Sequence, residues 1–326
     1  FFADSDAYKW LEAAFYGYAQ IPDPQLLTLI SDFIILIQSA QETDGYLYTY
    51  NQLIFPESRW ENLQIEHELY CHGHLIEACV SHFQVTGEKS LLSTGINAAD
   101  LIVRTFNGKG PLFTPGHEEI EIALLRLYEV TKSDSYLQLA QQFLHQRGRH
   151  APLTFSLHML GENNRVNQRT RFYRQKQNQY ELDHPNTSKP TRLPPPNKIP
   201  PNGSAKWRFM LSGLNGKYFQ QDRPLAKQTI PVGHAVRFVY LQTATAKSLR
   251  FRNNDHDRYQ MEKRWDHMVT RRMAVTGGIG SLPYSEGFGR DYELDPKMMY
   301  AETCAALGSM FWNWEMTLLT GDARYA

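Results

Sequence analysis

Glu286 lies in the glycine-flanked segment S-E-G-F-G, and Glu302 and Cys304 follow it in E-T-C. A carboxylate and a thiolate two residues apart can both reach one Zn²⁺ if the backbone between them is non-helical or only entering a helix. Glu286 then stays available as a proton donor or acceptor. Histidines offer a second chemistry. His117 follows Pro115-Gly116, and His234 follows Gly233. Each is expected at the mouth of a helix, where the positive end of the peptide dipoles disfavours the imidazolium and suits a neutral ring that hydrogen-bonds hydroxyls. A plain capping role is equally open for His117. In H-E-L-Y-C-H-G-H, the residues His67, Cys71 and His74 are spaced four and three apart, with Tyr70 beside them. That spacing brings side chains together on one helical face and could present metal ligands. Cys71 reads better as a small core residue, and His67 as a functional residue lining a pocket. The run T-G-G-I-G-S at 276–281 fits neither the phosphate-loop nor the dinucleotide pattern, so no nucleotide site is expected.

Helices must position these residues. Trp10, Leu11, Ala14, Phe15 and Tyr18 recur at helical spacing behind a candidate cap, Ser5. Asp23-Pro24 announces a second helix, which continues through Leu27, Ile30, Ile34 and Ile37. The aromatic stretch around Gly45 interrupts the pattern as a loop or short strand. Further helical segments are expected at about 66–85, 90–105, 117–130 and 134–147, then around G-H-A-V-R-F-V-Y-L and from Tyr300 to Leu319. A similar turn recurs at Thr86, Thr131 and Thr320, the first two 45 residues apart. That period fits stacked helical hairpins, each burying its apolar face against its neighbours. A closed ring is favoured over a solenoid, because the Gly- and aromatic-rich loops could together build a site at one end. Residues 160–206 are polar and basic, then proline-rich, and are expected to form an insertion that packs no core. A basic arm for a polyanion is the lesser reading of that stretch.

Composition narrows the classes. The 326 residues are 42% hydrophobic and 21% charged, enough for a sizeable core. Thirty-four basic residues balance 34 acidic ones, which leaves no electrostatic footprint for nucleic acid or an anionic membrane. The longest aliphatic or aromatic run, Phe33–Ile37, is far short of the roughly 20 residues that span a bilayer. Cys71, Cys79 and Cys304 are too few for a disulfide framework and suggest a reducing, cytoplasmic setting. A start without Met and a last segment inside a helix-turn-helix pattern suggest a fragment.

Several motifs resemble one family in order: YKWLEAAFY, AQETDGYLYTY, HELYCHGHLIEA, PGHEEIEIALLRLYEVT, GHAVR, VTGGIGS, EGFGRDYEL and YAETCAALG. They are similar to the glycoside hydrolase family 127 (DUF1680) β-L-arabinofuranosidases, over nearly the whole chain except about 151–215. The resemblance implies an all-α (α/α)6 six-hairpin barrel, partial here, and a retaining, exo-acting glycosidase of plant L-arabinofuranosides. It implies a Zn²⁺ held by one Glu and three Cys, one of those cysteines being the nucleophile. Matched onto this sequence, it makes Glu302 and Cys304 metal ligands, Glu286 the general acid/base, and His67, His117 and His234 sugar-binding residues. The family's Cys-Cys pair, downstream of E-T-C, is absent from the 326 residues. The piece alone is therefore expected to be inactive, with an incomplete metal site. The rival expectations are another (α/α)6 sugar enzyme, such as an unsaturated glucuronyl hydrolase or an epimerase, and a non-catalytic carbohydrate-binding remnant.

Overall fold

The computed structural model describes residues 2–184 and 203–326. Among them the fold is all-α: α1 (Ala3–Gln20), α2 (Pro24–Ala40), α3 (Thr49–Ile54), α4 (Glu68–Thr86), α5 (Ser90–Phe106), α6 (Glu119–Thr131), α7 (Asp134–Gln146), α8 (Pro152–Asp183), α9 (Gly203–Leu214), α10 (Ala235–Phe251), α11 (Asp255–Arg271) and α12 (Thr303–Thr320). Extended pairing among these residues is limited to isolated bridges. The helices are arranged as part of an (α/α)6 barrel. α1, α4, α6, α10 and α12 pack each on the next as an inner arc, while α2, α5, α7 and α11 lie outside their hairpin partners α1, α4, α6 and α10. The sequence explains the two layers. Every residue from Ala235 to Leu249 is buried, as an inner helix flanked on all sides requires, whereas α2 buries only Ile30 and Ile37.

Local signals set the ends. The Asp23 carboxylate accepts hydrogen bonds from Gln25 N (2.7 Å) and Leu26 N (3.2 Å), with Pro24 in the first turn. Ser5 does not cap α1: the helix starts at Ala3, and the Ser5 hydroxyl donates to Phe2 O at 2.8 Å. Gly45 occupies a turn rather than a strand, and the short α3 follows it. α12 begins at Thr303, so Tyr300 to Glu302 precede it.

The recurring turn has one physical form. α4, α6 and α12 all end on a residue in the left-handed conformation: Gly87 (φ 75°), Lys132 (φ 58°) and Gly321 (φ 70°). Each is preceded by a threonine whose hydroxyl donates to the carbonyl four residues back, at 2.7, 2.8 and 2.8 Å, and accepts the amide two residues on. The turn therefore reverses the chain at the base of an inner helix.

The stretch at 160–206 departs from its expected lack of packing. As far as Asp183 it continues α8, which buries Phe155, Met159, Glu162, Val166 and Arg169 along one side. Glu162 Oε1 accepts the amides of Gln64 and Ile65, both at 2.7 Å, and so anchors the loop ahead of α4. Composition misled because the buried side includes charged residues with specific partners. The proline-rich part at 185–202 lies outside the described residues.

Lys132 is the one member of the three turns with a Cβ in the left-handed region, which costs an L-residue about 1 kcal/mol. Lys132→Gly is expected to raise stability by about 0.5–1 kcal/mol, read as a higher urea midpoint at unchanged slope.

Candidate active site

Three loops at the starts of inner helices converge. His67 is the residue before α4, His117 stands two residues ahead of α6, and His234 caps α10 by accepting Arg237 N at 3.4 Å. The rings of His67 and His117 are 5.9 Å apart, and those of His117 and His234 are 6.4 Å apart. Tyr70, Tyr218 and Tyr240 frame them, with Tyr70 at 4.4 Å and Tyr240 at 5.3 Å from His117 and Tyr218 at 5.4 Å from His234.

A buried guanidinium joins the loops. Arg237 is 5% exposed and donates to Gln64 O (3.1 Å), in the loop ahead of His67, and to Gly116 O, next to His117. Its plane lies over the rings of Phe219 (4.7 Å) and Tyr218 (5.4 Å). The His117 loop is also braced from below. Arg147 ion-pairs with Glu118 (2.9 Å) and Glu121 (3.0 Å), all three fully buried, and donates to Pro115 O at 2.9 Å. Burial is the main cause that holds His67 and His117 well below the usual imidazole range, and the Arg237 charge adds to it. His234 is lowered by burial too, although Glu286 opposes the shift.

Glu286 enters from the loop between α11 and α12. Its backbone is left-handed (φ 49°), and its carbonyl accepts Ala235 N at 2.9 Å, which pins the loop to the start of α10. Close approach at this crossing requires two glycines. A Cβ on Gly287 would sit 2.4 Å from Gly233 O, and one on Gly233 would sit 2.0 Å from Lys217 O. The Glu286 carboxylate meets His234 Nε2 at 3.3 Å through Oε2, and Tyr300 OH donates to Oε1 at 3.4 Å. Because His234 Nδ1 accepts the Arg237 amide, its proton belongs on Nε2, facing Glu286. The aromatic and glycine positions were visible in the sequence motifs, but the roles of Arg237, Tyr218 and Tyr300 were not. Nothing in their local pattern marks a partner so distant along the chain.

Glu302 joins the same group. His234, Glu286 and Glu302 can each offer a ligand atom within 4.8 Å of the others, a candidate cation site. Glu302 directly precedes α12, and Cys304 lies in its first turn. The Cys304 thiol is not among the ligand atoms of that group. The Cys304 thiol is exposed yet pushed up to about 11, by partial desolvation and by the Glu302 carboxylate beside it. Cys71, by contrast, is a core residue with no exposed surface, and its thiol is pushed far up by burial. Three polar atoms at this site, His67 Nδ1, His117 Nδ1 and Glu302 Oε2, are buried without a hydrogen-bond partner among the described residues. Such atoms are costly unless a ligand completes them. A cavity of about 970 Å³ opens on the far side of the Glu286 loop, walled by Tyr218, Gly233, Leu282 and Tyr284. No histidine lines it, so the geometry of the side chains, not this cavity, defines the site.

Neutral histidines, tyrosines and a carboxylate are thus gathered at one end of the inner helices of a helical barrel. The family model for the β-L-arabinofuranosidase GH127 catalytic domain matches residues 1–326, and the chain belongs to that family. It is 34% identical, over its whole length, to the non-reducing end β-L-arabinofuranosidase of Bifidobacterium longum subsp. longum, of which it covers 44%. The crystal structure of Ara127N-Se, a GH127 β-L-arabinofuranosidase from Geobacillus stearothermophilus T6, superposes with a TM-score of 0.79 at 35% identity. That match covers 99% of this chain and 45% of the other. A second GH127 β-arabinofuranosidase structure gives 0.75 at 30% identity, over 99% and 43%. The chain thus spans under half the length of the relatives it matches. No helix among the described residues is long and apolar enough to cross a membrane.

The depressed histidines carry a sign for stability. A buried imidazole whose folded pKa lies below its unfolded 6.5 contributes stability that is complete above pH 6.5 and is lost as pH falls toward the folded value. His117→Gln is therefore expected to flatten the pH dependence of unfolding below pH 6.5, by up to about 1.4 kcal/mol per pH unit, in urea titrations of the two proteins side by side.

Proposed function

We propose that this chain supplies the sugar-binding and acid/base part of a retaining, exo-acting β-L-arabinofuranosidase that removes L-arabinofuranose from plant glycans or glycoproteins. Family membership supports the class. The observation that carries the reading is the set of buried, unpartnered nitrogens on His67 and His117 facing the His234–Glu286 pair. Neutral imidazoles are suited to hydrogen-bond sugar hydroxyls without competing for the proton that the reaction moves. In this reading Glu286 gives its proton to the glycosidic oxygen as the sugar–oxygen bond breaks. It later takes a proton from the water that releases the sugar from the enzyme's nucleophile. His234 Nε2–H and Tyr300 OH hold the carboxylate in place for both transfers.

Glu302 and Cys304 are proposed as ligands of Zn²⁺. The buried, unpartnered Glu302 Oε2 and the adjacent thiol fit half of a four-coordinate set. When bound, the metal would supply positive charge that favours thiolate over thiol, reversing the upward push on Cys304. The resemblance assigns the nucleophile to a Cys-Cys pair, and the 326 residues contain no adjacent cysteines. The chain by itself is accordingly proposed to bind the sugar without turning it over. The three free cysteines support a reducing, cytoplasmic setting.

In the full-length enzyme, Glu286→Gln is expected to lower kcat/KM on an unactivated arabinofuranoside about 10²–10⁴-fold. On p-nitrophenyl β-L-arabinofuranoside the first step needs little acid assistance, so the variant should show a burst of nitrophenol followed by slow turnover that azide restores. Wild-type turnover by Glu286→Gln, or a loss that azide does not restore, would contradict the assignment.

A further inference from the structure

Beneath the histidine site, separated from it by one aromatic ring, lies a second group of titratable side chains that the proposed reaction does not use. Tyr70 lies between His117 (4.4 Å, rings tilted) and His74 (4.5 Å, edge-on). His74 is 5% exposed, and its Nδ1 stands 3.2 Å from Glu119 Oε1 and 3.9 Å from Glu77 Oε2. The close approach to Glu119 does not have the geometry of a hydrogen bond, and neither ring nitrogen of His74, nor Glu119 Oε1, makes one. His74 and Glu77 come from α4, and Glu119 from α6. α1 adds Glu12, and α6 also adds Arg126, whose Nη1 ion-pairs with Glu77 (2.9 Å) and Glu12 (3.0 Å). Ser81 bridges Glu12 and Arg126, at 2.5 and 2.8 Å. Lys9, from α1, is turned to Tyr70 OH at 3.2 Å.

Charge and geometry point the same way. Three carboxylates face one guanidinium, and burial keeps His74 neutral, its imidazole pulled down to about 3. Burial, the Glu77 charge and a hydrogen bond with the Glu77 carboxylate push Glu119 well above the carboxylate range. The carboxylates outnumber the cations even when Lys9 is counted with Arg126, and a bound cation offsets that surplus. The ligand atoms of His74, Glu77 and Glu119 all lie within 4.8 Å of one another, as donors around a shared ion about 2.1 Å away do. One imidazole nitrogen with two carboxylates suits a borderline metal such as Zn²⁺ better than Mg²⁺ or Ca²⁺, which favour all-oxygen sets.

We propose that His74, Glu77 and Glu119 form a second, structural site for a divalent transition-metal cation, distinct from Glu302 and Cys304, that ties α4 to α6 in the floor of the histidine pocket. The competing way to balance the charge is a proton shared between Glu77 and Glu119.

The test uses the 326-residue chain with Glu302→Gln and Cys304→Ser, which silence the other candidate site. The protein is refolded with equimolar Zn²⁺ or in EDTA, desalted, and analysed for bound metal and melting temperature. Co²⁺ in place of Zn²⁺ serves as a spectroscopic probe. The expected result is one retained equivalent of metal, visible Co²⁺ d–d absorption and a higher melting temperature with metal than in EDTA. His74→Gln and Glu119→Gln should each abolish all three. Glu119→Gln also keeps the test decisive if His74→Gln fails to fold, because a neutral isostere relieves the repulsion whichever partner balances it. No retained metal in the parent, or one equivalent that survives in Glu119→Gln, would overturn the proposal. A parent insensitive to metal, with Glu119→Gln melting at least as high in EDTA, would assign the balance to the shared proton instead.

Discussion

The architecture of this site depends on one buried guanidinium. Arg237 reaches from the first turn of α10 to the carbonyls of Gln64 and Gly116, and so draws the loops of His67 and His117 toward its own cap, His234. A charged group this deep is tolerated only with good partners, and here they are two carbonyls and the faces of Tyr218 and Phe219. Its charge has a chemical consequence as well as a geometric one. Together with desolvation it keeps the neighbouring imidazoles unprotonated, so three histidines can share a small pocket without mutual repulsion.

The rest of the scaffold supports those loops from below and behind. The Arg147–Glu118–Glu121 group fixes the His117 loop, Glu162 holds the amides of Gln64 and Ile65, and the Gly233–Gly287 crossing sets Glu286 against His234. These supports come from elements far apart in sequence, and each uses a buried polar group with defined partners. A site assembled in this way trades some folding stability for fixed positions, because each charge had to leave water.

Much of the molecule was legible in the residues. Helical periodicity, the Asp23-Pro24 start and the threonine turns at 86, 131 and 320 anticipate the hairpins, and the turns owe their recurrence to one shared left-handed termination. The placement of His117 and His234 at loop-to-helix junctions follows from the Gly-His pairs. Other features were not legible, for identifiable reasons. α8 looked unable to pack because its buried side includes Glu162 and Arg169, whose partners lie about a hundred residues away. The spacing of His67, Cys71 and His74 suggested a common face, but the helix begins only after His67, which turns to His117, while Cys71 enters the core and His74 meets Glu119. Long-range partners, not local pattern, decide such cases.

The central claim is that Arg237 gathers three uncharged histidines into one site, proposed above to bind the sugar, and imidazole NMR tests it most directly. The side-chain resonances of His67, His117 and His234 would be followed from pH 5.5 to 8, with and without methyl β-L-arabinofuranoside. The account predicts that His67 and His117 do not protonate in that range, that His234 titrates below the usual imidazole value, and that all three shift together when the sugar is added. A resonance among them titrating near 6.5, or a sugar response confined to one ring, would contradict it.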